Sequence, residues 1–181
     1  MVVVHNFHVT RKTVFPNETN SPLIIKAASD ALSARFAMVA GECYLNIGQI
    51  DDAVVNLEKG VKFVDRCSFI GMRPRWTMCY PMLVQAYIKQ HQGVAQRDTR
   101  GRLASRRKLR KLLEKSHQWA EAYSSIKAPT FLAEGMYHQH CGDRETAEEK
   151  LQTSIQVAKD QDASLALSDS RLALTILNDA Q

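Results

Sequence analysis

Residues 34–67 read ARFAMVAGECYLNIGQIDDAVVNLEKGVKFVDRC, and their apolar spacing decides the fold. Beyond Gly48, the residues Ile50, Val54, Leu57, Val61 and Val64 step by four, three, four and three. That period places them on one face of an α-helix of about four turns. Before Gly48, a first helix is predicted from Ser21-Pro22, where Ser caps free amides and Pro occupies the position that needs no donor. Its residues Ile25, Ala28, Leu32, Phe36, Val39, Cys43 and Ile47 recur at spacings of three and four, one apolar stripe ending at Gly48. Only Gln49 lies between the two helices, so they must turn back on each other, and Ala53 is small enough to let the backbones approach.

The same pattern returns 94 residues later, where Gly135, Gly142, Ala147 and Leu151 repeat Gly41, Gly48, Ala53 and Leu57. Pro129 is expected to open this second hairpin and Asp143 to cap its second helix, with Leu151, Ile155 and Ala158 facing inward. Between the two lies a less regular unit. Its first helix is predicted over about 75–92, with Trp76, Tyr80, Leu83 and Tyr87 on one side and Pro81 in its early turns. A loop over 93–101 follows, then a long helix over about 102–125 whose apolar face is Leu109, Leu112, Leu113, Trp119, Ala120 and Tyr123. A last helix over 163–177 carries Leu165, Leu172 and Ile176 on one side, with Asp162 as its expected N-cap.

Gly41, Tyr44, Gly48, Ala53 and Leu57 stand at the spacing of the 34-residue tetratricopeptide repeat, and residues 34–67 resemble one such hairpin. Three departures are Ala37 in place of a bulky residue, Gly60 in place of Ala, and Asp65 in place of Pro. The resemblance implies an all-α protein, a TPR-like α-solenoid of about three helical hairpins plus a closing helix. The repeat domain would span 21–178, with hairpins over about 22–67, 75–125 and 129–160, the closing helix at 163–177, and residues 1–20 as an irregular lead-in. One hairpin cannot bury its own apolar face, so about three are needed, and the ends of such an array expose apolar surface that invites self-association.

A second resemblance rests on Ala133-Glu134-Gly135, Gly142-Asp143, Ala147-Glu148-Glu149-Lys150-Leu151, Ile155-Gln156-Val157-Ala158, Asp162-Ala163-Ser164-Leu165 and Arg171-Leu172-Ala173-Leu174. This stretch is similar to the helical repeats that follow the ATPase module in soluble adenylyl cyclases and related signalling ATPases. The resemblance covers roughly 34–177 and involves helix-packing residues. It implies a regulatory fragment or truncated isoform, with cAMP biosynthesis performed only by a parent protein. The chain has no G-x-x-x-x-G-K-[ST] run and no paired carboxylates in a sheet-forming context, so it is expected not to be an enzyme.

The formal charge of +5 is concentrated rather than spread. Residues 97–115 hold nine basic side chains against Asp98 and Glu114, so the rest of the chain is slightly acidic. Arg102, Arg106, Arg107, Lys108, Arg110, Lys111 and Lys115 form the candidate partner-binding set on a basic amphipathic helix. Such a helix suits an acidic protein partner such as calmodulin, although charge runs also serve as solvated faces. Aromatic residues are not interleaved among the cations as base stacking requires, so the nucleic-acid signal is weak. Arg102-Leu103-Ala104-Ser105 fits a basophilic kinase site in a flexible loop.

Other chemistry finds little support. The four cysteines, Cys43, Cys67, Cys79 and Cys141, include no C-x-x-C pair and read as reduced, mostly buried thiols. His138 and Cys141 share a helix face but His140 does not, so no metal is expected, and no nucleophile elbow or cofactor motif occurs. Where carboxylate-clamping repeats carry Lys and Asn, this chain has Met38 and Glu42, then Leu132 and Met136. No export signal or spanning segment is visible, and a soluble, cytoplasmic interaction protein is the expectation.

Overall fold

The computed structural model describes residues 22–66, 76–92 and 99–179, the side chains of 22–28 and 99–104 excepted. The lead-in over 1–20 lies outside the described residues, as do 93–98, which make up most of the expected loop. Among the described residues every regular element is helical. The helices are α1 (Pro22–Asn46), α2 (Ile50–Arg66), α3 (Cys79–Gln92), α4 (Thr99–Ala122), α5 (Lys127–Cys141), α6 (Arg144–Asp160) and α7 (Ser164–Asp179). Short 3-10 turns at Trp76–Met78 and Ser124–Ile126 lead into α3 and α5.

Each helix packs on the next in sequence, and α1 also touches α3, α3 touches α5 and α5 touches α7. The odd-numbered helices therefore contact one another in series, and each even-numbered helix lies against the two odd ones beside it. Close approach within the hairpins depends on glycine. A Cβ at Gly41 would come within 2.5 Å of Leu57 Cγ, and one at Gly135 within 2.7 Å of Leu151 Cγ. Leu57 and Leu151, like Ala53 and Ala147, are fully buried. Burying such a leucine contributes about 1.5–3 kcal/mol, which only a bare Cα opposite allows here. Gly48 and Gly142 end α1 and α5 at φ +79° and +83°, a left-handed conformation that glycine adopts without strain.

The departures from the repeat pattern have packing reasons. Gly60 faces α3, where a Cβ would come within 2.5 Å of the Cys79 sulfur. Asp65 accepts a hydrogen bond from the Tyr80 hydroxyl at 2.6 Å. Ala37 is buried on the side of α1 that carries Ala31, Ala34 and Gly41.

That side of α1 overturns the expectation raised by its stripe. Leu32, Phe36, Val39 and Ile47 are exposed, Phe36 by 67%, and Cys43 is exposed with them. The small residues are what α2 approaches, leaving the bulky stripe on the far side. The same inversion occurs on α7, where Leu165, Leu172 and Ile176 are exposed while Ser170 and Leu177 are buried. Helices in the interior of the series behave as their periodicity predicts: Leu109, Leu113 and Ala120 of α4 are buried.

Helix ends differ in detail from the sequence reading. Asp143 caps α6, its carboxylate accepting from the Thr146 amide at 3.2 Å. Asp162 does not cap α7. It takes a left-handed φ of +52°, and the first helical bond runs from the Leu167 amide to the Ala163 carbonyl. Pro129 is the third residue of α5 rather than its first, still within the turn whose amides lack intrahelical acceptors. Helix α4 begins at Thr99, earlier than expected.

Small hydroxyl residues seal the later interfaces. Ser116 on α4 and Thr130 on α5 share a hydrogen bond of 2.8 Å. Ser154 on α6 donates to the Ala128 carbonyl at 2.6 Å and bonds Ser170 on α7 at 2.8 Å. Among the described residues no buried side-chain nitrogen or oxygen lacks a hydrogen-bond partner. No described helix is long and apolar enough to cross a membrane.

Candidate partner-binding surface

Helix α4 has a buried edge and two polar flanks. Leu109, Leu113, Ser116 and Ala120 recur at three and four and form the buried edge. The flank toward α2 and α3 carries Lys108 and Lys115, seven residues apart. Lys108 Nζ reaches Glu58 Oε1 at 3.0 Å and also donates to the Tyr87 hydroxyl, which itself donates to Glu58. Two turns away the motif repeats, with Lys115 Nζ 2.7 Å from Asp65 Oδ1 and Tyr80 donating to the same oxygen. The lysines thus bridge α2 and α4 across the tyrosines of α3.

These contacts set the proton affinities. The hydrogen bond from Tyr87 holds the Glu58 carboxyl below its usual value, against burial, with Lys108 adding to the effect. Burial and the bond to Glu58 push the Tyr87 phenol up. Burial pulls the Lys108 ammonium down, but its bonds to Tyr87 and Glu58 outweigh this and raise it. Burial first, then Asp65, raises Tyr80, whose oxygen also has a hydrogen bond with Trp119.

On the other flank, His117 lies 3.0 Å from Glu134 of α5, whose second oxygen is 3.9 Å from Lys150 of α6. Burial raises the Glu134 carboxyl, and the histidine and lysine more than reverse it. Nearer the start of α4, Arg106, Arg107, Arg110, Lys111 and Glu114 line an open groove of about 450 Å³ together with Tyr137 of α5. Arg110 pairs with Glu114 one turn on, at 3.1 Å, both well exposed. Arg106, Arg107 and Lys111 are exposed, with no acidic side chain in ion-pair range among the described residues. Tyr137 packs against the hydrophobic core, and burial, then Cys141, raises its phenol while Arg106 and Arg110 pull it down.

The seven cations named from the sequence therefore separate. Lys108 and Lys115 are engaged in the ladder between helices, Arg106, Arg107, Arg110 and Lys111 share the groove, and the Arg102 side chain lies outside the described residues. Ser105 is helical rather than in a loop, and its hydroxyl bonds His91 Nε2 at 2.9 Å. Of the cysteines, Cys79 is buried, Cys141 partly so and Cys43 exposed, while Cys67 lies outside the described residues. His138 turns to Asp143 at 3.1 Å. Among the described residues no three His, Cys, Asp or Glu side chains gather to hold a metal ion.

Sequence reasoning missed the ladder and the role of Tyr137. The signal for the ladder was present as three pairs at the same spacing of seven: Glu58 and Asp65, Tyr80 and Tyr87, Lys108 and Lys115. Two helical turns return a side chain to nearly the same face. Comparison with protein-family models, curated proteins and solved structures found no match.

Proposed function

We propose that this chain is a TPR-like helical-repeat scaffold that binds a protein partner and performs no chemistry of its own. The observation that carries this reading is the repetition of one packing device at two hairpins, Gly41 under Leu57 and Gly135 under Leu151, each closed by a left-handed glycine. A hairpin built this way buries its face only against neighbours, and arrays of such units present extended surfaces to partners. The exposed apolar faces of α1 and α7 fit the open ends of an array.

The charge on α4 bears on how a partner is held. A calmodulin-like grip would need the apolar edge of α4, yet Leu109 and Leu113 belong to the core. The basic flank is therefore offered as a surface on a folded array. If the array is the regulatory part of a soluble adenylyl cyclase-like protein, transcripts encode cyclase and ATPase modules in frame upstream, and transcript sequencing tests that origin.

The scaffold reading is tested by affinity capture with the intact chain beside a Gly135→Val variant that breaks the third hairpin, together with an ATP turnover assay. A stoichiometric partner lost with the hairpin supports it. Clear ATP turnover or cyclisation by the 181 residues overturns it.

A further inference from the structure

We infer that the groove lined by Arg106, Arg107, Arg110, Lys111 and Tyr137 docks an extended acidic peptide segment, with carboxylate or phosphate groups on alternate side chains. This rests on the scaffold reading above and adds the partner's chemistry.

Four cations face one carboxylate, Glu114, and three of the four have no acidic partner among the described residues. The basic residues that serve the fold are different ones, Lys108 and Lys115, already paired with Glu58 and Asp65. Three of the groove cations are arginines, whose planar forks bind carboxylate or phosphate through paired hydrogen bonds.

Spacing selects the conformation of the ligand. Arg106 with Arg110, and Arg107 with Lys111, are pairs one helical turn apart, about 5–6 Å between Cβ atoms. Alternate side chains of an extended strand emerge on one side about 6.6–6.8 Å apart. Acidic groups at every second position therefore meet successive cations within the reach of flexible side chains. A groove of about 450 Å³ takes a few extended residues, whereas a helix is about 10–12 Å across. The Tyr137 ring, held by its packing against the core, supplies an apolar contact for the segment.

Other anionic partners fit less well. A nucleic-acid strand needs a succession of aromatic platforms, and the groove has one. A membrane-surface helix needs an apolar face to insert, and that of α4 is buried.

The test uses the full chain and labelled 12-residue peptides of alternating glutamate and serine, with a phosphoserine version and a glutamine version, read by fluorescence anisotropy. Both acidic peptides are expected to bind at least about ten-fold tighter than the glutamine peptide, a preference that weakens with added salt. Replacing Arg106, Arg107, Arg110 and Lys111 by Gln removes the preference. Replacing the exposed Lys59, Lys62, Lys127 and Lys159 by Gln, an equal loss of charge elsewhere, leaves affinity within about two-fold. Glu114→Gln frees Arg110 and tightens binding about two-fold.

Whichever acidic peptide binds more tightly names the natural group, carboxylate or phosphate, and either supports the proposal. Equal losses in the groove and control variants overturn it, as does tighter binding of single-stranded RNA or of anionic phosphatidylserine vesicles. Circular dichroism checks each fold, and the single variants Arg106→Gln and Arg107→Gln stand in if the quadruple variant unfolds. Failure here leaves the scaffold reading intact, because partner capture and turnover decide that separately.

Discussion

Glu58 on α2 and Lys108 on α4 meet at 3.0 Å through the space beside the Tyr87 hydroxyl, so two helices with no direct hairpin between them are tied across a third. The pair is too exposed for its charges alone to contribute much, since surface ion pairs are worth about 0–1 kcal/mol. The tyrosine changes the balance by desolvating one side and donating to the carboxylate. Tyr87→Phe should cost about 0.5–1.5 kcal/mol in denaturant unfolding. Tyr80→Phe should cost more, about 1–3 kcal/mol, because the Tyr80 side chain is fully buried and gives up its hydrogen bonds with Asp65 and Trp119 together.

Acid should loosen the same tie. Glu58 is held below its ordinary value of 4.5 by the hydrogen bond from Tyr87, so its folded form releases its proton more readily than the unfolded one. Its stabilising effect is fully present above pH 4.5 and is lost as the pH falls through the lower folded value. Between neutral pH and the acid range, Glu58→Gln should flatten the fall in stability below pH 4.5, measured by denaturant midpoints. An unchanged acid limb would show that the carboxylate does not titrate through this contact.

Gly135→Ala sets two effects against each other. Helix propensity favours alanine by about 1 kcal/mol, while forcing a Cβ within 2.7 Å of Leu151 Cγ costs about 1–3 kcal/mol of overpacking. A net loss of about 1 kcal/mol is expected. In a double-mutant cycle with Leu151→Ala the losses should be less than additive, because the smaller side chain vacates the space.

Thiol labelling should divide the cysteines by position. Cys43 is exposed and should react with a disulfide reagent in the folded protein. Cys79 is buried, its thiol pushed up to about 12 by burial, and should react only on unfolding. Fast labelling of Cys79 at neutral pH would contradict its packing against Gly60.

The exposed stripe on α7 should matter for association and little for folding. Replacing Leu165, Leu172 and Ile176 by Gln should change stability by no more than about 0.5 kcal/mol per site and reduce self-association in sedimentation velocity. Leu177→Ala, at the buried edge of the same helix, should cost about 2–5 kcal/mol.

The sequence by itself determined that the described residues are helical, where their seven helices lie to within about four residues, and that the hairpin at Gly41 recurs at Gly135. These follow from local rules: a 3.6-residue period, glycine at a left-handed turn, aspartate at a helix start. Tertiary structure decided which side of each helix is buried at the ends of the series. Periodicity marks an apolar face on α1, but only the neighbour determines its fate, and α2 approaches the small residues Ala34, Ala37 and Gly41 instead. It also decided the roles of the cations on α4. Their spacing along one helix is local, whereas the carboxylates that engage Lys108 and Lys115, and leave Arg106, Arg107 and Lys111 facing solvent, come from a helix some fifty residues earlier in the chain.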